Sequence, residues 1–181
     1  MFDTQVRRLI AGQSRRRVFV HAGVVGWHGR AILLPGRSHA GKSTMVTELV
    51  RRGAVYFSDE YAILDAKGRV HPYARPIALL TGDGGRVERI AATELGGTVA
   101  TAAMRVGAVV MTEYHPDARW APRRLSPGRG LLEMLAHTIP AQRRPAAALA
   151  ALGRIVSVAP VLKGRRGEAS ATADLMLARL C

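Results

Sequence analysis

Cysteine is almost missing from this chain: the single thiol, Cys181, is the last residue. One cysteine can close no internal disulfide and by itself holds no metal, and no prenylation-type sequence precedes it. Long apolar runs are missing too. None approaches the ~18 residues needed to cross a bilayer, and the N-terminus has no signal-peptide apolar region. The expectation is a cytoplasmic protein with no membrane association. Aromatic residues are few, with four tyrosines, three phenylalanines and two tryptophans, which leaves no obvious platform for stacking bases. Lysine is rarer still: Lys42, Lys67 and Lys163 are the only three among 27 basic residues. The net charge of +14 is therefore arginine charge, a skew that fits codon composition better than selection for a phosphate-tracking groove. It is scattered along the chain in Arg7-Arg8, Arg15-Arg16-Arg17, Arg51-Arg52, Arg123-Arg124, Arg143-Arg144 and Arg165-Arg166. Scatter of this kind argues against nucleic acid as a partner and suits solvated faces or an acidic protein or peptide.

What is present is an ordinary globular composition, 48% apolar and 22% charged over 181 residues. One domain spanning 1–181 is expected, with no internal repeat. Within it, Gly36-Arg37-Ser38-His39-Ala40-Gly41-Lys42-Ser43-Thr44 is a complete GxxxxGK[ST] phosphate-binding loop. The glycines let the backbone curl until successive N–H groups converge on one anion, and a lysine and a hydroxyl follow at a helix start. The flanks agree: Ala31-Ile32-Leu33-Leu34 reads as a buried strand, and Met45, Val46, Leu49 and Val50 recur at helical spacing.

Around this unit the pattern predicts a short helix over 3–12 within a helical arm at 1–16, with Val6, Leu9 and Ile10 on one side. A hairpin follows, from Val18–Gly26 to Arg30–Leu34 through a turn at His28-Gly29. The loop's helix ends at Arg51-Arg52-Gly53, and Ala54–Phe57 is a third strand. Tyr61–Leu64 and Val70–Tyr73 flank a turn at Asp65-Ala66-Lys67-Gly68. The stretch 81–104, with Gly82, Gly84 and Gly85, reads as a mobile loop, a lid or substrate-binding segment. Val106–Thr112 is strand-like, helices start at Ser126-Pro127 and at Pro145, Ala159–Leu162 is a late strand, and 169–180 is a terminal helix. The expected class is α/β with a mixed sheet, a phosphate loop followed by a helix, and helices concentrated in the C-terminal half.

The residue chemistry follows from these positions. Lys42 neutralises the β- and γ-phosphates and Ser43 ligates Mg²⁺. Backbone groups from Ser38 through Ala40 to Gly41 form the cradle at the helix's positive end. Thr44 either assists the phosphates or caps the first turn, and His39 either borders the phosphates or is exposed. Asp59 and Glu60 end a strand at the carboxyl edge of the sheet, where ligands of α/β proteins bind. A carboxylate there holds Mg²⁺ or takes the proton of an attacking hydroxyl; the alternative is a turn-capping Asp59 and a solvated Glu60. His21 shares one face of its extended segment with Phe19 and Val25.

His21-Ala22-Gly23-Val24-Val25, the loop from Gly36 to Thr44, and Ser58-Asp59-Glu60 together resemble the C-terminal kinase domain of HPr kinase/phosphorylase. More distantly they resemble ATP-dependent phosphoenolpyruvate carboxykinase, which shares that nucleotide-binding core. His21 precedes Lys42 by 21 residues and Asp59 follows it by 17, as in that family. The resemblance covers about residues 17–65. It implies a serine/threonine-hydroxyl kinase in which Asp59 is the general base or a metal-linked carboxylate and His21 lies near the γ-phosphate or the metal. Glu60 stands where the family has a second aspartate. No counterpart of the family's N-terminal domain or of its later signature segment is found, Arg75 to Gly85 being the nearest stretch to the latter, and nothing marks a surface for HPr. Short stand-alone relatives of the domain resemble enzymes that phosphorylate peptides.

The sequence reading is thus a Mg²⁺- and ATP-dependent kinase acting on a serine or threonine hydroxyl of a peptide or protein. GTP stays open, since no guanine-reading motif is recognisable. Arg75 and Arg86 are candidates to meet the transferred group, and the family suggests a homo-oligomer. The alternatives are a nucleotide-binding regulatory module without phosphotransfer and a small-molecule kinase. An open groove beside the loop favours a peptide, a closed metabolite-sized pocket the small molecule.

Overall fold

The computed structural model describes residues 16–38, 40–81, 86–139, 141 and 143–180. The helix expected over 3–12, and with it His39, Gly82, Gly84 and Gly85, lies outside them.

Strands β1 (Val18–Trp27) and β2 (Arg30–Pro35) form the expected hairpin, with Trp27 opposite Arg30. The two turn residues, His28 and Gly29, have φ of 46° and 73°. Positive φ at both centres is what a two-residue turn needs to follow the twist of its strands. β1 organises the sheet because both its edges are paired. One edge holds β2 and, further down, the segment 137–139, through a bridge between Val20 and Thr138. The other holds β3 (Val55–Ser58) and β4 (Tyr61–Leu64).

From β4 the sheet continues through β5 (Arg69–His71) to the long β8 (Met104–Tyr114), which pairs in parallel with both β2 and β10 (Val161–Arg166). The two-residue β9 (Arg123–Arg124) lies antiparallel on β10. The β2–β8 pairing closes the path β2-β1-β4-β5-β8 on itself. The class is mixed α/β, mostly antiparallel, with a parallel trio β2, β8 and β10 whose carboxyl ends gather at one edge.

Helices cover both faces. The apolar stripe of α1 (Lys42–Arg51) and that of α4 (Ala169–Arg179) pack on Val25, Ile32, Leu34 and Val110. On the other face α2 (Pro127–Leu135) and α3 (Pro145–Val158) bury Met134, Leu152 and Ile155 against Val20, Val24, Leu33 and Val109. Three of the four described helices follow residue 126, as the sequence led one to expect. The β4–β5 turn is held by Asp65. Burial opposes its charge, but hydrogen bonds from Arg69, His71 and Lys67 outweigh that and hold its carboxyl well below the usual carboxylate range.

The stretch 81–104 is not one loop. β6 (Ile77–Thr81) and β7 (Arg86–Ile90) form a separate two-stranded sheet, followed by a short 3-10 helix at Ala92–Leu95. β7 is almost wholly exposed, so it has no core face to leave an apolar alternation in the sequence. The strand expected over Val70–Tyr73 is shorter and begins earlier, and the late strand is displaced to Val161–Arg166.

α1 lies close on the sheet because β1 has a glycine beneath it. A Cβ on Gly23 would stand 2.6 Å from Val46 Cγ2. Gly23→Ala is expected to destabilise the fold by about 1–3 kcal/mol through overpacking, read as a lower urea midpoint at unchanged slope.

Candidate functional site

The phosphate loop leaves β2 at Pro35 and is clasped at once, since Gly36 N–H donates to His21 O at 3.3 Å. Ala40 N–H donates to Arg37 O at 3.2 Å, which tightens the curl. Gly41, at φ 74°, is the residue before the helix. Its left-handed conformation suits glycine, and a Cβ there would collide with the Arg166 guanidinium. The N–H groups of Lys42, Ser43 and Thr44 begin the helix without intrahelical acceptors. No side chain caps this end and no acid stands in its first turn, so its N–H groups and positive dipole end stay available to an anion.

Lys42 folds back over the loop, with Nζ donating to Arg37 O at 2.7 Å. Burial brings its pKa down to about 8, against the opposing pull of Asp59 and Glu60. Ser43 reaches the other way, its hydroxyl donating to Asp59 Oδ2 at 3.0 Å. Ser38 and Thr44 are exposed, Ala40 is half-buried and Gly36 is buried.

Asp59 and Glu60 form the bend between β3 and β4. Ser58 sets it, its buried hydroxyl accepting N–H bonds from Glu60 at 3.1 Å and Tyr61 at 3.0 Å. Asp59 is buried and tied to three elements. Besides Ser43 it accepts Ala78 N–H on Oδ2 at 3.1 Å, and Tyr56 OH lies 3.1 Å from Oδ1 and 2.7 Å from Arg75 O. Burial, then the Asp59 charge, pushes the Tyr56 phenol well above its ordinary range, so it stays a neutral donor. The Glu60 backbone is anchored to β1 through its carbonyl, which accepts Ala22 N–H at 3.1 Å, while the residue is half-buried.

His21 is half-buried, its ring 5.9 Å from that of Tyr61, and its backbone N–H donates to the His137 carbonyl at 2.8 Å. Arg75 contributes a backbone carbonyl beside Asp59 and is otherwise exposed; Arg86 opens β7, exposed, opposite Thr81. The fold thus brings Lys42, Ser43, Asp59 and Glu60 into one neighbourhood, with the His21 backbone bracing the start of the loop.

Three residues of this neighbourhood were missed in the sequence. Tyr56 reads as an apolar strand position, and nothing marks its hydroxyl. Arg166 reads as half of a surface dipeptide, yet it is buried at the end of β10, with Nη1 donating to Gly167 O at 2.9 Å and Nη2 to Gly41 O at 3.4 Å. Tyr114 lies beneath its guanidinium at 5.2 Å. Strand alternation separates Arg165 from Arg166, but only once the strand's bounds are known. His137 lies near Lys42 and Arg37; burial, then those two charges, pushes its pKa down.

No family model matches the chain. No curated protein matches it either. Among solved structures it is similar to the HPr(Ser) kinase/phosphatase from Coxiella burnetii, at 13% identity and a TM-score of 0.47, over 89% of this chain and 93% of that one. What the site can do is read from its own atoms.

The Ser43 hydroxyl and Asp59 carboxylate are hard oxygen donors already 3.0 Å apart. Among the described residues no group of three or more His, Cys, Asp or Glu could hold a metal ion. A cation here would share one or two protein oxygens with phosphate and water, which is the habit of Mg²⁺.

Lys42 gives the site a pH dependence. An anion on the loop favours the ammonium, so binding takes up a proton wherever the free lysine is partly neutral. Nucleotide affinity in Mg²⁺-free buffer is expected to fall as pH rises from 7 to 9, through the pKa of about 8. Lys42→Arg should flatten that fall, as followed by titration with a fluorescent nucleotide.

Proposed function

We propose that this protein is an ATP-using phosphotransferase that delivers the γ-phosphoryl group to a hydroxyl, with a serine or threonine of a peptide or protein as acceptor. The observation that carries the reading is the convergence of loop and carboxylate. Ser43, one residue past the loop lysine, is hydrogen-bonded to Asp59, and both Asp59 and Glu60 act on the Lys42 charge. Phosphoryl transfer asks a protein for positioning and charge neutralisation more than for covalent chemistry.

In this reading the loop N–H groups and Lys42 hold the β- and γ-phosphates and stabilise the charge that moves onto them. Mg²⁺, held by Ser43 and Asp59, would neutralise phosphate charge when bound. Ser43 and Ala78 donate to Asp59, and the Tyr56 hydroxyl, shared with the Arg75 carbonyl, lies against its other oxygen; this fixes the carboxylate in place and suits a positioning role. Glu60, half-buried beside it, takes the proton of the acceptor hydroxyl. The acceptor oxygen bonds to the γ-phosphorus as the bond from that phosphorus to the β–γ bridging oxygen breaks, and ADP leaves with the bridging oxygen. His21 steadies the loop through its carbonyl, and its ring lies on the face of β1 that carries α1.

A second reading, a small-molecule kinase, is favoured by the volume alone of the cleft beside the loop, about 730 Å³ and within the roughly 300–1,000 Å³ usual for small-molecule sites; the cleft is half open, not the closed pocket that reading asks for.

Purified protein with labelled ATP and Mg²⁺, given a cell extract separated into macromolecular and small-molecule fractions, should label a polypeptide. Label confined to the small-molecule fraction would favour the second reading. Lys42→Ala and Asp59→Asn should each lower transfer about 100-fold or more. Glu60→Gln should lower turnover while leaving nucleotide affinity nearly intact. No transfer by the wild type, or equal transfer by Lys42→Ala, would sink the reading.

A further inference from the structure

The phosphate loop has two flanks. Towards β3 and β4 stand Asp59 and Glu60. On the other side the 730 Å³ cleft opens between the loop, the carboxyl ends of β8 and β10, and the end of α2. Pro35, Gly36, Arg37 and Ala40 form its near wall, so it is continuous with the phosphate site.

Its charges do not balance. Arg37, Arg123, Lys163 and Arg165 line it against Glu113 and Glu133, and Glu133 is already engaged by Lys163 at 2.7 Å. Arg37, Arg123 and Arg165 form no salt bridge among the described residues.

The strand register apportions the two acids and leaves Arg37 and Arg123 without one. Lys163 stands directly opposite Arg123 on β9, while Arg165, which shares its face by strand alternation, stands opposite Glu113 on β8. Like charges directly opposite across a strand pair are destabilising; Glu133 offsets the Lys163 charge, but Arg123 has no acid of its own on the two-residue β9. The chain before β9 is pressed onto β10 regardless, for a Cβ on Gly164 would stand 2.9 Å from Pro122 Cα. An anion among these groups would balance the remaining positive charge and accept charge-assisted, bidentate bonds from the guanidinium groups. No Phe, Tyr or Trp lines the cleft among the described residues, which makes it a poor surface for a purine to stack on.

We propose that this cleft is the acceptor site and that it selects an anion. The molecule receiving the phosphoryl group carries a carboxylate or phosphate held by Arg37, Arg123 and Arg165, and the nucleoside leaves the loop elsewhere. The proposal rests on the kinase reading and names the acceptor's charge. Two sources supply such an anion: an acidic stretch flanking a serine or threonine, or a small hydroxyl compound that is itself phosphorylated.

Calorimetric titration of the ADP-saturated protein separates them. The probes are a synthetic peptide with one serine among glutamates, the same peptide with lysines, and glycerol 3-phosphate. At least one anionic probe is expected to bind about tenfold or more tightly than the lysine peptide. The tighter of the two anions identifies the source. The Arg123→Glu/Arg165→Glu double variant should lose that binding tenfold or more while holding ADP within about twofold of wild type, which also reports an intact fold. The proposal is overturned if neither anion outbinds the lysine peptide or if the double variant binds the anion as well as wild type. A tenfold loss of ADP affinity with anion binding unchanged would make the cleft a nucleoside pocket, and overturn it too. Anion binding as expected but with no labelled phosphate transferred to the bound probe or to any component of a cell extract would sink the kinase reading and leave the anion site standing.

Discussion

The hydrogen bond from Ser43 to Asp59 is the contact on which the site depends. It joins the first turn of α1 to the bend after β3, two pieces of chain 16 residues apart. The same carboxylate accepts the Ala78 N–H and lies beside the Tyr56 hydroxyl, so the helix, the central sheet and the β6–β7 hairpin meet on one side chain. A buried carboxylate is tolerable only when its oxygens are met by donors, and here the donors come from the elements that surround the loop. The positive end of α1 and the carboxylate pair are thereby held at a fixed separation before any ligand arrives.

Around that contact the two flanks of the loop have opposite character. The β3–β4 side gathers acids and neutral hydroxyls, which suits cation and proton chemistry. The β8–β10 side gathers arginines with few partners, which suits an anion. Arg166 braces the loop at Gly41 from the end of β10, so the strand that lines the cationic cleft also supports the loop. Lys42 sits between these regions, its charge weakened by burial and supported by Asp59 and Glu60.

Much of this was legible in the residues. The glycine spacing of the loop, the strand before it and the amphipathic helix after it are local properties, and they appear in the structure close to where they were read. The β1–β2 hairpin was announced by the glycines at its turn, and the Ser58-Asp59-Glu60 bend by a strand running into acids. The β6–β7 hairpin was not legible, because an exposed two-stranded sheet has no buried face to imprint alternation. Tyr56 was hidden for the opposite reason: in a buried strand an aromatic ring reads as core whether or not its hydroxyl is in use.

The sequence by itself determined that a glycine-spaced loop opens a helix after a hairpin strand, and that acids follow one strand later, because backbone curl and side-chain period are short-range properties. Tertiary structure alone decided that Asp59 would meet Ser43 and Tyr56. It likewise decided that Arg166 would be buried under Gly41 while its neighbour Arg165 turned into a cleft with Arg37 and Arg123. Those choices depend on strand register and on which face of β10 meets which helix. A charge written in the sequence has no sign of direction until the sheet assigns it a side.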